Sequence, residues 1–80
     1  MTRFRPIAGA VWDGRELVVN DELEVALPEK EYDTLGGFIF GELGKVPSIG
    51  DSVEWNGWRF SVDTLDGRRI QRVRVTNVVV

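Results

Sequence analysis

The segment Trp-Asn-Gly-Trp at residues 55–58 constrains the fold more than any other part of this chain. Asn-Gly between two apolar runs is the strongest short-range signal for a two-residue β-hairpin, because both turn positions need a positive φ angle. The turn fixes which residues face each other across the two strands. The predicted facing pairs are Trp55 with Trp58 and Val53 with Phe60 on one side of the sheet, and Glu54 with Arg59 on the other.

A second turn near Asp66-Gly67 is predicted to extend this hairpin into an antiparallel meander. Two loops are compatible with the sequence. A two-residue loop at Asp66-Gly67 would place Phe60 opposite Val73, and a three-residue loop from Leu65 to Gly67 would place Val62 opposite Ile70.

The last strand is expected to be kinked. Ile70, Val73 and Val75 cannot all share one face of a regular strand, because the first interval is odd. A bulge near Gln71-Arg72 would resolve the conflict. The β-branched tail from Val75 to Val80 is expected to be an edge strand or an exchange element. It is expected to pair within the sheet or with a second copy, and the intact protein is expected to dimerise.

Apolar residues at helical spacing predict a helix over residues 34–43. Asp33 is its predicted N-cap, and Gly44 its left-handed C-terminal cap. The residues expected to be buried are Leu35, Phe38, Ile39 and Leu43. The glycines within the helix (Gly36, Gly37 and Gly41) each cost about 1 kcal/mol relative to alanine. They indicate that a ligand or, by preference, another backbone approaches this helix closely.

The first third of the chain is less constrained. Residues 8–19 are predicted to form a hairpin around Asp13-Gly14. A short helix, capped by Asn20, then ends at Pro28, although the alternation of Leu23, Val25 and Leu27 leaves a strand open. Residues 1–7 are expected to be an extended or disordered lead-in. Residues 1–80 are thus interpreted as a single α+β domain, a small antiparallel β-meander with two short helices.

The composition of the chain restricts the classes of function that it can perform. The chain contains no cysteine and no histidine, which removes thiolate chemistry and the usual general base, so we expect no enzyme. Its net charge of −3 gives no broad reason to bind nucleic acid. No apolar run approaches the ~20 residues that cross a bilayer, so no direct membrane insertion is expected.

Two groups of side chains are candidates for ligand binding. Arg68, Arg69 and Arg72, with Arg74, form a basic cluster that could meet nucleotide phosphates, an acidic partner or lipid headgroups; ion pairing with Asp63, Asp66 and Glu54 is the favoured explanation. Trp55 and Trp58, with Trp12, could stack on a flavin or adenine ring, but core packing is favoured. Asp21, Glu22 and Glu24 lack the ligand ladder of a calcium loop, and no metal site is predicted.

Three segments in compact order carry a family resemblance: EYDTLGGF at 31–38, GKVPSIGDSVEW at 44–55 and DGRRIQRVRV at 66–75. Together they resemble the transporter-associated domain of the CorC/HlyC family. The resemblance covers roughly residues 9–75.

The resemblance implies a function and partners. Family members usually carry this domain after a pair of adenine-nucleotide-binding CBS domains, and many have a membrane region. It therefore implies a regulatory or interaction module of a magnesium and cobalt efflux protein or a hemolysin-like protein. The module is expected to be dimeric and to be tethered at the cytoplasmic face of the membrane through the parent protein. The fold resembles a subdomain of FAD-binding oxidoreductases, so a module that binds FAD or another adenine-containing ligand is the alternative. The chain is expected to be a C-terminal piece whose Met1 is not the native start, with a free-standing small protein left open.

Overall fold

The computed structural model describes residues 6–18, 27–28 and 31–78. Four antiparallel strands form one sheet in the order β1-β4-β3-β2, and one helix packs on it. The elements are β1 (Ala10–Asp13), α1 (Leu35–Leu43), β2 (Ser52–Trp55), β3 (Trp58–Asp66) and β4 (Arg69–Asn77). The predicted α+β meander is confirmed, with one helix among the described residues. The predicted first helix, or its strand alternative, falls on positions that lie mostly outside them, as do residues 1–5 of the lead-in.

The Asn-Gly hairpin has the predicted register. The facing pairs between β2 and β3 are Trp55 with Trp58, Glu54 with Arg59, and Val53 with Phe60. Both turn residues have positive φ, 51° at Asn56 and 85° at Gly57, as the turn requires.

The β3–β4 turn lies one residue later than predicted. Asp66 faces Arg69, so Gly67 and Arg68 form the loop, and both predicted loops are wrong. The observed register places Leu65 opposite Ile70, which lets both side chains pack on the core. Phe60 consequently faces Val75 rather than Val73.

The predicted bulge in β4 is present. Gln71 has no facing residue on β3, and on β3 Asp63 likewise lacks one on β4. These two irregularities compensate each other, so the register beyond them is restored. Ile70, Val73 and Val75 are all buried as a result, although their spacing does not fit a regular strand.

The predicted hairpin over residues 8–19 is wrong, because β1 pairs with β4. The Asp13 carboxylate accepts the Arg15 N–H at 2.8 Å, and the turn directs the chain away from β1. The Val18 N–H then donates to the Asp33 carbonyl at 2.9 Å, so this segment lies beside the start of α1.

Helix α1 begins at a different cap from the predicted one. Thr34, not Asp33, is the N-cap, and its Oγ1 accepts the Gly37 N–H at 3.1 Å. The hydroxyl of an extended residue is well placed to satisfy such an amide. Gly44 ends the helix in the left-handed conformation, with φ of 67°, as predicted.

The core lies between α1 and one face of the sheet. Its buried side chains are Val18, Leu27, Leu35, Phe38, Ile39, Phe60, Val62, Ile70, Val73 and Val75, and Leu43 is partly buried against them. Phe38 is central, since its ring meets Tyr32, Trp55 and Phe60 edge-on at centroid distances of 5.7, 5.5 and 5.7 Å. This geometry is favourable for aromatic pairs.

The C-terminal tail continues β4 and is paired within the sheet, as one of its two expected arrangements requires. Val75 pairs on both sides, with Ala10 on β1 and Phe60 on β3, so the expectation of an edge is wrong at this position. Residues 76–78 pair with β3 alone among the described residues, and the Val78 N–H donates to the Gly57 carbonyl at 2.9 Å. The last two residues lie outside the described part.

Candidate functional site

The candidate arginines lie around two grooves that meet at Arg15 and Arg69. The first, which we call the helix groove, has a volume of about 480 Å³ and is lined by Gly14, Arg15, Thr34, Gly36, Gly37, Phe40, Arg68, Arg69 and Ile70. The second, the strand groove, has a volume of about 520 Å³ and is lined by Val11, Trp12, Asp13, Arg15, Asp66, Arg69, Ile70, Gln71 and Arg72. The fold thus brings Arg68 and Arg69 together in the helix groove, and Arg69 and Arg72 together in the strand groove.

The position of the helix groove follows from a close backbone contact. The Gly36 N–H donates to the Gly14 carbonyl at 2.9 Å, and the Gly14 N–H donates to the Gln71 carbonyl at 2.8 Å. A β-carbon at Gly36 would lie 2.9 Å from the Gly14 oxygen, and one at Gly14 would lie 2.2 Å from the Ile70 oxygen. The approach of another backbone therefore explains Gly36, and it holds the start of α1 against the turn that carries Arg68.

A close contact also explains why glycine occurs at position 41 of the helix. A β-carbon there would lie 2.3 Å from the ring of Tyr32, which covers this side of the helix. The Tyr32 hydroxyl donates to Glu42 Oε2 at 3.4 Å. Partial burial, with the nearby carboxylates of Glu42 and Glu31, raises the pKa of Tyr32 above its ordinary value. We assign this contact to packing.

The helix groove is positively charged. Among the residues that the structure describes, three arginines line it, Arg15, Arg68 and Arg69, and no acidic residue does. Arg68 and Arg69 make no ion pair with another described residue. Arg15 is held by Asp13, with 3.4 Å between Nη2 and Oδ2. A cationic surface therefore occurs within a chain whose net charge is −3.

The strand groove has mixed charge. Arg15, Arg69 and Arg72 line it together with the carboxylates of Asp13 and Asp66. The backbone N–H of Arg15, followed by its guanidinium, holds the pKa of Asp13 below its ordinary value, and Arg72 adds to the effect. Because these charges offset each other, the strand groove attracts anions less than the helix groove does.

The predicted ion pairs of the arginine cluster form only in part. Arg74 pairs with Asp63 at 3.5 Å, whereas Glu54 pairs with Arg59, its hairpin partner, at 2.7 Å. These pairs lie on exposed side chains and contribute little to stability. Asp66 faces Arg69 across the turn without a direct ion pair among the described residues.

Two of the three candidate tryptophans lie outside the grooves that the candidate arginines line. Trp55 and Trp58 are half-buried, pack against the core and line neither groove. Trp12 also packs against the core but reaches the strand groove, where it lies near Arg69 and Arg72. In the described part of the chain, a ring stacked on Trp55 or Trp58 would therefore lie outside both grooves that carry the candidate arginines.

Sequence reasoning missed two residues of the helix groove, Arg15 and Phe40. Phe40 is 43% exposed, although it is a large apolar residue in the middle of a helix. The signal was available, because Phe40 lies outside the stripe formed by the buried residues of α1. Arg15 could not be assigned, since its position depends on the turn after Asp13.

Among the described residues there is no group of three or more acidic side chains placed to hold a metal ion. The acidic segment with Asp21, Glu22 and Glu24 lies outside them. No helix in the described part is long and apolar enough to cross a membrane.

Comparisons with known proteins identify the fold and the family. The family model CorC_HlyC, described as a transporter associated domain, matches residues 17–79. The chain is 32% identical over 76 residues to the magnesium and cobalt efflux protein CorC of Salmonella typhimurium, which covers 90% of this chain and 26% of that protein. It is 35% identical over 54 residues to Hemolysin C of Brachyspira hyodysenteriae, covering 68% of this chain and 20% of that protein. The chain thus spans about a fifth to a quarter of these curated relatives.

Solved structures agree. A Mg²⁺ and Co²⁺ transporter (CorC) associated region from Neisseria meningitidis superposes with a TM-score of 0.76 at 28% identity, covering 85% of this chain and 86% of that one. A CorC_HlyC domain of a Xylella fastidiosa hemolysin, solved in complex with Mg²⁺ and Mn²⁺, gives a TM-score of 0.70 at 32% identity and covers 86% of each chain. On these matches, this chain belongs to the family of CorC/HlyC transporter-associated domains.

Proposed function

We propose that this domain is a non-catalytic interaction module, which regulates a magnesium and cobalt efflux protein or a hemolysin-like protein by binding another part of it. The observation that supports this proposal is the helix groove, a positively charged surface with an exposed aromatic ring. Among the described residues that line it, Thr34 alone carries a hydroxyl, and this oxygen already accepts the Gly37 N–H. The chain contains no histidine or cysteine to act as base or nucleophile. Such a surface is suited to recognition rather than to bond making.

The partners follow from the family. Relatives named for magnesium and cobalt efflux are about four to five times as long as the matched region, so in those proteins the domain has neighbours within one polypeptide. We propose that those neighbours are CBS domains and a membrane region, and that the domain is held at the cytoplasmic face of the membrane through them.

The experiment is a binding measurement between two purified components. The chain is titrated into the CBS-domain pair of a CorC/HlyC-type protein from the same genome, and heat is measured by calorimetry. Saturable binding with a defined stoichiometry is expected. Absence of binding, with both components folded, would contradict the interaction module.

The flavin alternative is tested in parallel. Trp55 and Trp58 line neither groove, so we expect no saturable quenching of FAD fluorescence when the chain is added. Saturable quenching without CBS binding would favour the small-molecule module instead.

A further inference from the structure

We propose that the helix groove docks an acidic polypeptide segment carrying one aliphatic side chain, with its carboxylates on Arg68 and Arg69 and the aliphatic group against Phe40. This inference rests on the proposed interaction function and names the face and the chemistry of the partner.

The positive charge of the helix groove is complementary to the negative charge of an acidic segment. Two arginines of the sheet's outer face are matched within the chain, since Arg59 pairs with Glu54 and Arg74 with Asp63. Arg68 and Arg69 have no such partner among the described residues. Both are exposed and line the helix groove, where no carboxylate of a described residue lies. Arg69 also lines the strand groove, beside Asp13 and Asp66. An acidic segment would supply the missing countercharges, and arginine can bind a carboxylate through two parallel hydrogen bonds.

The shape and apolar character of the groove provide the second argument. Its floor is formed in part by Gly36 and Gly37, which present no side chain, and Phe40 beside them is 43% exposed. Gly37 differs from Gly36 because a β-carbon there would contact only Thr34 Oγ1, at 3.1 Å. Backbone packing therefore does not account for the bare surface at Gly37. A side chain entering between these glycines and Phe40 would bury apolar area on both sides.

The combination of arginine and an aromatic ring favours a polypeptide over a nucleotide or a lipid. Aromatic residues and arginine are enriched in protein–protein interfaces and in their hot spots, whereas lysine is depleted. The three cations that described residues supply to the helix groove are all arginines. A nucleotide base would need a second ring or a narrow slot for stacking, and Phe40 is the only aromatic side chain of the described residues that lines the groove.

The experiment maps binding on the backbone of the ¹⁵N-labelled chain by NMR. The probe is a short, blocked, glutamate-rich peptide with one central leucine, and the matched control peptide has glutamine at every glutamate. We expect saturable shifts of the amides of Gly14, Gly36, Gly37, Phe40 and Ile70 with the acidic peptide only. Shifts centred on the outer sheet face, equal shifts with the glutamine peptide, or no shifts would each overturn the proposal.

Two other classes of ligand, a nucleotide and a lipid surface, are tested by the same NMR titration. FAD and vesicles of phosphatidylcholine with phosphatidylserine are added separately. If either shifts the helix-groove amides while the acidic peptide does not, the site recognises a nucleotide or a lipid surface and the proposal is wrong.

Variants then assign the contacts. Arg68→Gln should weaken peptide binding by roughly tenfold, because it removes one charge-assisted contact with a carboxylate of the peptide. Arg74→Gln removes the same charge from the outer face and should leave the affinity unchanged. Phe40→Ala should weaken binding of the leucine peptide but not of a version with glycine in place of leucine. Equal effects of Arg68→Gln and Arg74→Gln would contradict the assigned face.

Failure of the helix-groove proposal can be distinguished from failure of the proposed interaction function. If the CBS-domain pair binds the chain equally well with and without Arg68→Gln, the interaction module stands and the helix groove is not its contact. If the acidic peptide binds at the helix groove but the CBS-domain pair does not bind, the groove assignment stands and that partner is wrong.

Discussion

Phe38 and Phe40 lie two positions apart in α1 but differ completely in environment. Phe38 is fully buried among three aromatic rings, whereas Phe40 is 43% exposed beside the helix groove. We predict that Phe38→Ala lowers the free energy of unfolding by about 3–5 kcal/mol, because it removes a ring and leaves a cavity. Phe40→Ala is the matched control and should change stability by no more than about 0.5 kcal/mol. Denaturant unfolding followed by tryptophan fluorescence measures both, and similar losses would show that the two environments are assigned wrongly.

Asp13 gives a prediction about pH. Its pKa is lowered in the folded chain, chiefly by the hydrogen bond from the Arg15 N–H and next by the Arg15 guanidinium. A lowered pKa means that the unfolded chain takes up the proton first. The ionised carboxylate therefore stabilises the fold above the ordinary aspartate pKa of about 3.9, and this contribution is lost as pH falls towards the folded pKa.

The measurement compares the chain with its Asp13→Asn variant. Melting temperatures should differ in favour of Asp13 at neutral pH, and the difference should shrink as the solution is made more acidic than that ordinary value. A difference that is constant or grows with acidity would contradict the assigned shift. Asparagine can still accept the Arg15 N–H, so the comparison isolates the charge.

The N-terminus of α1 distinguishes what the sequence predicts from what the structure shows. The sequence pattern favoured Asp33 as the cap, but Thr34 Oγ1 accepts the Gly37 N–H. Thr34→Ala should therefore cost about 1 kcal/mol of stability, the usual effect of losing a cap. Asp33→Ala should cost only the few tenths expected for one charge near a helix N-terminus. A larger loss for Asp33→Ala would restore the original assignment.

The elements that could be predicted are those specified by local chemistry. The Asn-Gly turn demands positive φ at two adjacent positions, so it fixed the register of β2 and β3. The periodicity of Leu35, Phe38 and Ile39 likewise specified the buried face of α1. The bulge near Gln71 could be inferred because burying Ile70 and Val73 together is impossible without one.

The elements that could not be predicted depend on contacts between distant parts of the chain. The Asp13-Gly14 pair resembles a hairpin turn, but β1 gains more pairing partners on β4 than the short segment after the turn offers. The same limit applies to the candidate site. Arg68 and Arg69 were singled out from composition, whereas Arg15 joins them only because Gly14 and Gly36 pack backbone to backbone. Neither residue of that contact carries a side chain whose pattern could reveal it.

At the scale of the whole molecule, the position of β4 changes where self-association can occur. The tail pairs with β3 up to Val78, so on that side it is not available to a second copy. The outer strands of the described sheet are β1 and β2. Strand β1 pairs on one side only among the described strands, and Val11 on it is 41% exposed. We therefore predict that the chain dimerises through β1, since an unpaired edge offers backbone donors and acceptors to another strand.

Sedimentation equilibrium at several concentrations tests this prediction with three forms of the chain. The full chain should show the dimer mass at high concentration. Val11→Lys should remain monomeric, because a charged side chain on an edge opposes strand pairing. Removal of residues 76–80 should leave the dimer mass of the folded fraction unchanged but lower stability by roughly 1–3 kcal/mol, since it deletes the pairing of Thr76 and Asn77 with β3. A full chain that stays monomeric would contradict the self-association hypothesis. Loss of the dimer in the shortened form alone would show that the dimer contact involves the tail rather than β1.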